Sequence, residues 1–176
     1  MMALVGTPTQ SHVSPDVGDL RSLYESQRVS LVRLASLLLH EYGDAEEVVQ
    51  DAFVKAYVRW GRLRDPDKAL AYLRSAVLNG ARSRLRHLRV VERTTTGASR
   101  LGAGADAGLL AREEHDLMIA ALRSLPVRQR ECLALRYYLE LSEAEIATTL
   151  GISQGSVKTH VHRGLSTLAG RLERTS

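Results

Sequence analysis

The sequence predicts an all-α protein made of two small helical domains joined by a flexible linker. Apolar residues recur at spacings of three and four, and no segment shows the apolar–polar alternation of a half-buried strand. From Val90 to Arg112 the chain reads VVERTTTGASRLGAGADAGLLAR, where Gly, Ala, Ser and Thr dominate and helical periodicity is lost in the middle. From Ser142 to Leu168 it reads SEAEIATTLGISQGSVKTHVHRGLSTL, two capped helices around a glycine turn.

The chain has 176 residues, enough for one ordinary domain or two small ones. Its 24 basic and 20 acidic side chains give a net charge of +4, so any surface for a polyanion must come from local clustering. The single cysteine, Cys132, excludes an internal disulfide and fits a reducing, cytoplasmic setting. It sits beside Leu133 and Leu135 in a helical run and reads as a buried structural thiol. No apolar run reaches membrane-spanning length, so no membrane insertion is expected. Residues 1–19 lack a basic start leading into an apolar core and read as a flexible tail rather than a secretory signal.

The N-terminal module spans about 20–89 and has three helical stretches. The first, Leu20 to Glu41, carries Leu23, Leu31, Leu34, Leu37 and Leu38. In the second, Asp44 to Trp60, the residues Ala45, Val48, Val49, Ala52, Phe53, Ala56 and Trp60 form one apolar face. Asp44 is placed to cap it, and Glu46 and Glu47 in the first turn suit the helix dipole. Its other face bears Glu46, Glu47, Gln50 and Asp51, which suits a basic protein partner and not DNA.

The third stretch runs from Pro66 or Lys68 to Arg89, with Leu73, Val77, Ala81, Leu85 and Leu88 on its buried side. Arg74, Arg82, Arg84, Arg86 and Arg89 fall between Ala71 and Arg89 with no acid among them. A solvated basic face is the plain reading. Unbalanced arginines repel one another unless an anion arrives, and Asn79, Ser83 and Arg82 or Arg86 share the exposed side, a usable nucleic-acid surface.

The C-terminal module, about 113–174, ends in the helix pair. Ser142 and Glu145 make a capping box, Ile146, Ala147 and Leu150 form the buried face, and Gly151 follows where a left-handed cap wants glycine. Ile152 plugs the turn and Ser153 caps the next helix. That helix carries an apolar stripe at Val157, Val161, Leu165, Leu168 and Leu172. Gly155, Thr159, His162, Arg163 and Ser166 lie opposite, flanked by Ser156 and Lys158. An ordinary helical hairpin is the alternative. The small Ala147, the turn glycine and Val157 together instead match helix-turn-helix spacing.

Residues near the start of a recognition helix reach base edges, so Gln154, Ser156, Lys158 and Thr159 are the expected readers. Gln pairs with adenine and Lys with guanine, each discriminating by about 1–3 kcal/mol in good geometry. Arg163 is expected on a phosphate. His160 and His162 are two apart and point to different faces, which argues against a metal site. No cofactor is expected.

Several blocks in order resemble the bacterial RNA polymerase sigma factors of the sigma-70 family, in the extracytoplasmic-function group. DAEEVVQDAF, Asp44 to Phe53, resembles the core-binding helix of region two. LPVRQRE, Leu125 to Glu131, resembles the start of region four, continued by Leu135–Tyr138, Leu141–Ala147, Leu150–Ser153 and Ser156–Lys158. The resemblance implies a protein that binds core polymerase, directs it to a promoter and helps open the duplex. Region two would bind the β′ clamp helices through Glu47, Gln50 and Asp51. Asn79, Arg82 and Arg86 would contact the −10 region. Region four would sit on the β flap and place Gln154, Ser156, Lys158, Thr159, His162 and Arg163 at the −35 element. The linker, residues 90–112, would thread through the polymerase, and the group admits an anti-sigma protein as a further partner.

Two departures from the family pattern stand out. Where many members have Phe-Arg-x-Trp-Leu before the basic helix, this chain has Ala69-Leu70-Ala71-Tyr72-Leu73. Base capture then falls to the loop from Gly61 to Asp67, since Trp60 reads as core. Gly164 stands where alanine is usual, costing roughly 0.8–1 kcal/mol of helix propensity. A stand-alone helix-turn-helix regulator is the rival reading, but it leaves the acidic second helix unused. A hydrolase or metalloenzyme finds no nucleophile elbow, P-loop or metal-spaced cluster in the sequence.

Overall fold

The computed structural model describes residues 17–63, 65–94 and 109–173, and the described residues form seven α-helices with no strand. They are α1 (Val17–Leu38), α2 (Tyr42–Val58), α3 (Pro66–Thr94), α4 (Leu109–Arg123), α5 (Val127–Leu133), α6 (Glu143–Leu150) and α7 (Gln154–Leu172). A short 3-10 turn, Trp60–Arg62, follows α2, and a π-turn, Ala134–Tyr138, continues α5. The predicted tail lies outside the described residues except at its last three positions, which begin α1. The predicted linker lies largely outside them too, but α3 runs on to Thr94 and α4 begins at Leu109, so its two ends are helical.

Helices α1, α2 and α3 pack together around Leu31, Leu34, Leu38, Val49, Ala52, Leu73, Val77 and Leu78. Each such leucine or valine contributes about 1.5–3 kcal/mol when fully removed from water. Tyr24 of α1 meets Phe53 of α2 edge to face, centroids 4.9 Å apart, and Trp60 closes the end of the bundle as a core residue. The apolar cluster does not stop there. It continues without a break into Cys132, Leu135, Ile146 and Val157 of the C-terminal helices. A smaller cluster of Leu125, Leu133 and Leu168 fixes α5 against α7. The Cys132 thiol lies fully inside, and burial pushes its pKa up to about 11.

Two sequence expectations change. Asp44 does not cap α2, whose N-cap is Glu41. Asp44 sits within the first turn, buried, where its carboxylate accepts a hydrogen bond from Arg84 of α3. The helix starts earlier because Tyr42 and Gly43 also take helical conformation, and the acid serves the α2–α3 contact instead. The buried stripe of α7 is Val157, Gly164 and Leu168, with Val161 half-buried and Leu165 42% exposed. A Cβ at Gly164 would lie 2.8 Å from Leu133 Cδ1, so the glycine admits that leucine between α5 and α7.

Gly80 has the same role between α3 and α2. A Cβ there would lie 2.8 Å from Val48 Cγ1, on a β-branched side chain with one strongly preferred rotamer in a helix. Alanine would gain about 1 kcal/mol of helix propensity and lose about 1–3 kcal/mol by overpacking. We expect Gly80→Ala to lower the urea midpoint with an unchanged slope. A raised midpoint would show that α2 and α3 separate freely here.

Candidate DNA-reading helix and partner-binding face

The helix-turn-helix is built as its sequence implies. The Ser142 hydroxyl accepts from the Glu145 N–H at 3.2 Å, and the Glu145 carboxylate accepts from the Ser142 N–H at 2.8 Å. Gly151 ends α6 in the left-handed region at φ 65°. The Ile152 N–H then donates to the Ala147 carbonyl at 3.1 Å, and Ser153 caps α7 by accepting from the Ser156 N–H at 3.1 Å. The π-turn before α6 was not legible in the sequence. Its Leu139 N–H donates to the Ala134 carbonyl at 3.2 Å, and Glu140 takes a positive φ of 53° to swing the chain into Leu141.

The structure brings the predicted readers together on one exposed face of α7. Gln154, Lys158, Thr159, His162 and Arg163 are exposed and Ser156 is half-exposed. Lys158 Nζ lies 3.6 Å from the Glu143 carboxylate of α6, a loose surface pair that a base edge or phosphate can displace. The first-turn N–H groups of α7 and these donors form a cationic, donor-rich ridge of the kind that enters a major groove.

The α3 surface differs from its sequence reading. Asn79 and Arg86 are exposed, but Arg82 is not a free exposed cation. Its Nε donates to the buried Glu131 carboxylate of α5 at 2.5 Å, and its Nη1 donates to Asn79 Oδ1 at 2.8 Å. Arg74, about two turns earlier on α3, is half-buried against α6, and burial lowers its pKa while Glu145 opposes that shift. Arg84 turns the other way, to Asp44 and, at 3.8 Å, to Glu47. The basic helix is therefore partly neutralised from both sides.

On α2, Glu47, Gln50 and Asp51 are exposed, whereas Glu46 pairs with Arg28 of α1 at 2.6 Å. The face extends further than the acids. Val54 (62% exposed), Tyr57 (59%) and Val58 (78%) continue the same line along the helix. Their spacing from Glu47, Gln50 and Asp51 was readable in the sequence as a second, outward apolar stripe. Acids followed by uncovered apolar side chains have a composition that suits a protein partner. Among the described residues, no group of His, Cys, Asp and Glu is placed to hold a metal ion, and no helix is long and apolar enough to cross a membrane.

Two family models match the chain. Residues 23–90 match the model for Sigma-70 region 2, and residues 115–168 match that for Sigma-70, region 4. An RNA polymerase sigma-E factor of Streptomyces avermitilis is 30% identical over 158 residues, covering 90% of this chain and 87% of that protein. The ECF RNA polymerase sigma factor SigL of Mycobacterium tuberculosis is 31% identical over 155 residues, covering 85% and 86%. Two solved structures share the fold. The sigma factor RpoE of Bartonella quintana, in complex with the anti-sigma factor NepR, has a TM-score of 0.73 at 21% identity and covers 89% of this chain and 98% of that one. CnrH in complex with the cytosolic domain of CnrY has a TM-score of 0.69 at 26% identity and covers 89% of each.

The capping box makes the helix-turn-helix sensitive to acid. The Ser142 N–H, and then its hydroxyl, hold the Glu145 carboxyl below its ordinary value. A carboxylate so depressed adds stability above the unfolded pKa of about 4.3 and loses it as the pH falls through the folded value. We expect the thermal midpoint to drop on acidification through about pH 4, and to drop less in Glu145→Gln. Equal drops would remove the box from the account.

Proposed function

This chain belongs to the sigma-70 family of RNA polymerase sigma factors, among its extracytoplasmic-function members, and from that premise we propose how its surfaces divide the work. Its function is that of the family: it binds core RNA polymerase and directs it to promoters. It is a binding protein in the cytoplasm, with no catalytic step of its own. The module of residues 20–89 binds core and the −10 region, the module of residues 113–174 binds the −35 element, and residues 90–112 connect them. The observation that carries this reading is the coexistence of two different exposed faces in one chain. The α2 face of Glu47, Gln50, Asp51, Val54, Tyr57 and Val58 suits protein, and the α7 ridge suits a major groove.

Glu47, Gln50 and Asp51 dock on the β′ clamp helices, and the C-terminal module rests on the β flap. Gln154, Ser156, Lys158 and Thr159 read bases at −35, with His162 and Arg163 further along the groove. Asn79, Arg82 and Arg86 contact the −10 region. An anti-sigma protein is a further partner, as it is for the Bartonella quintana sigma factor RpoE, whose structure shares this fold. A stand-alone regulator would use α7 alone and would leave the α2 face without a ligand.

Two outcomes test the assignment. Gln50→Lys with Asp51→Lys should abolish capture of core polymerase in a pull-down while circular dichroism stays unchanged, because both positions are exposed. Unchanged capture would overturn the role of this face. Arg163→Ala should weaken duplex binding and reduce the slope of log affinity against log salt by about one, the signature of a lost phosphate contact. An identical slope would take Arg163 off the phosphate backbone.

A further inference from the structure

The helix-turn-helix carries an acid that its own folding does not require. Helices α6 and α7 hold two carboxylates between them, Glu143 and Glu145, both in the first turn of α6. Glu145 closes the capping box, accepting from the Ser142 N–H and hydroxyl at 2.8 Å each. One acid completes such a box. Glu143 reaches the recognition helix instead, and its carboxylate lies 3.6 Å from Lys158 Nζ. Its side chain keeps 36% of its exposure and that of Lys158 keeps 67%, so both ends of the pair stay open to a ligand. A pair this exposed adds little to stability. An acid beside a DNA reader also carries a cost, because like charges placed face to face repel.

We propose that Glu143 and Lys158 together read one G·C base pair, which makes Glu143 a specificity-determining residue of the −35 contact. This inference rests on the assignment of Lys158 as a base reader, and its test separates the two. In the major groove a G·C pair shows the guanine N7 and O6 acceptors beside the cytosine N4 donor. O6 and N4 are hydrogen-bonded to each other, so they stand about 2.9 Å apart. A donor and an acceptor 3.6 Å apart match that edge: the Lys158 ammonium donates to guanine while the Glu143 carboxylate accepts from cytosine. An A·T pair also sets an acceptor beside a donor, but the acceptor is the lone thymine O4 next to a methyl group, whereas guanine offers the ammonium two. A phosphate satisfies Lys158 alone and leaves Glu143 facing an anion. The acid therefore withholds the ammonium from the DNA backbone and yields it at one kind of base pair. It lowers affinity for DNA in general and raises preference for one sequence.

The test selects duplexes from a random pool with the full chain, and measures affinity for one mixed-sequence duplex. The wild type is compared with Glu143→Ala and Glu143→Met, which remove the acceptor (the second keeps the reach of the side chain), and with Lys158→Ala. Thermal unfolding checks that each variant is folded. The wild type is expected to prefer G·C at one position by about five-fold or more. Both Glu143 variants should lose that preference at that position alone and bind the mixed duplex several-fold more tightly. Lys158→Ala should lose the same position and bind the mixed duplex no more tightly than the wild type. A preference retained in both Glu143 variants, or a wild type with no preferred G·C pair, would overturn the joint reading. Unchanged mixed-duplex affinity in both would overturn the withholding of Lys158 from the backbone. If Lys158→Ala keeps every preference of the wild type, the assignment of Lys158 as a base reader fails. If Lys158→Ala loses the position and the Glu143 variants keep it, that assignment stands and only the role of Glu143 falls.

Discussion

One buried guanidinium ties this molecule together. Arg130 is 5% exposed, and it spends its donors on backbone carbonyls rather than on an acid. Nη1 reaches the Leu38 carbonyl at the end of α1, and Nη2 reaches the Arg123 and Leu125 carbonyls where α4 ends, at 2.5 and 3.1 Å. The last carbonyls of a helix have no partner within it and carry its negative end. One cation thus completes two helix ends that lie 85 residues apart in the chain (38 to 123). Burial lowers its pKa, as do Arg123 and Arg89 nearby, yet an arginine remains charged throughout the physiological range. A lysine could not span three carbonyls with a planar fork.

Around that point the chain arranges opposite charges for separate tasks. The acids of α2 that face inward, Asp44 and Glu46, are held by Arg84 and Arg28, and those that face outward stay exposed, Glu47 only loosely paired with Arg84 at 3.8 Å. The arginines of α3 divide in the same manner, some holding the bundle and some holding the neighbouring module. On α7 the balance is reversed, and the exposed polar side chains are cationic or neutral donors. A net charge of only +4 therefore conceals surfaces of distinct sign, which long-range attraction can steer to distinct ligands.

Local signals were legible and tertiary ones were not. The capping box of Ser142 and Glu145, the left-handed Gly151 and the Ser153 cap depend on neighbours within a few residues, so the sequence alone places them. Apolar periodicity likewise found the buried faces of α2 and α3. Asp44 was misread as a cap because its true partner, Arg84, is 40 residues away. Leu165 was misread as core because a period alone cannot show that Gly164, with Leu133 filling its missing side chain, is the residue facing α5. Arg82 looked free for the same reason: no spacing rule links it to Glu131, 49 residues on.

The one thiol has a consequence for how the chain can be informed of its surroundings. Oxidants and metals attack the thiolate, and with a pKa of about 11 only about one Cys132 in ten thousand is ionised at neutral pH. That side chain is also sealed from solvent. Chemical news of oxidative stress therefore has no receptor on this polypeptide's sole sulfhydryl. A macromolecule that covers or uncovers one of the exposed faces meets no such barrier.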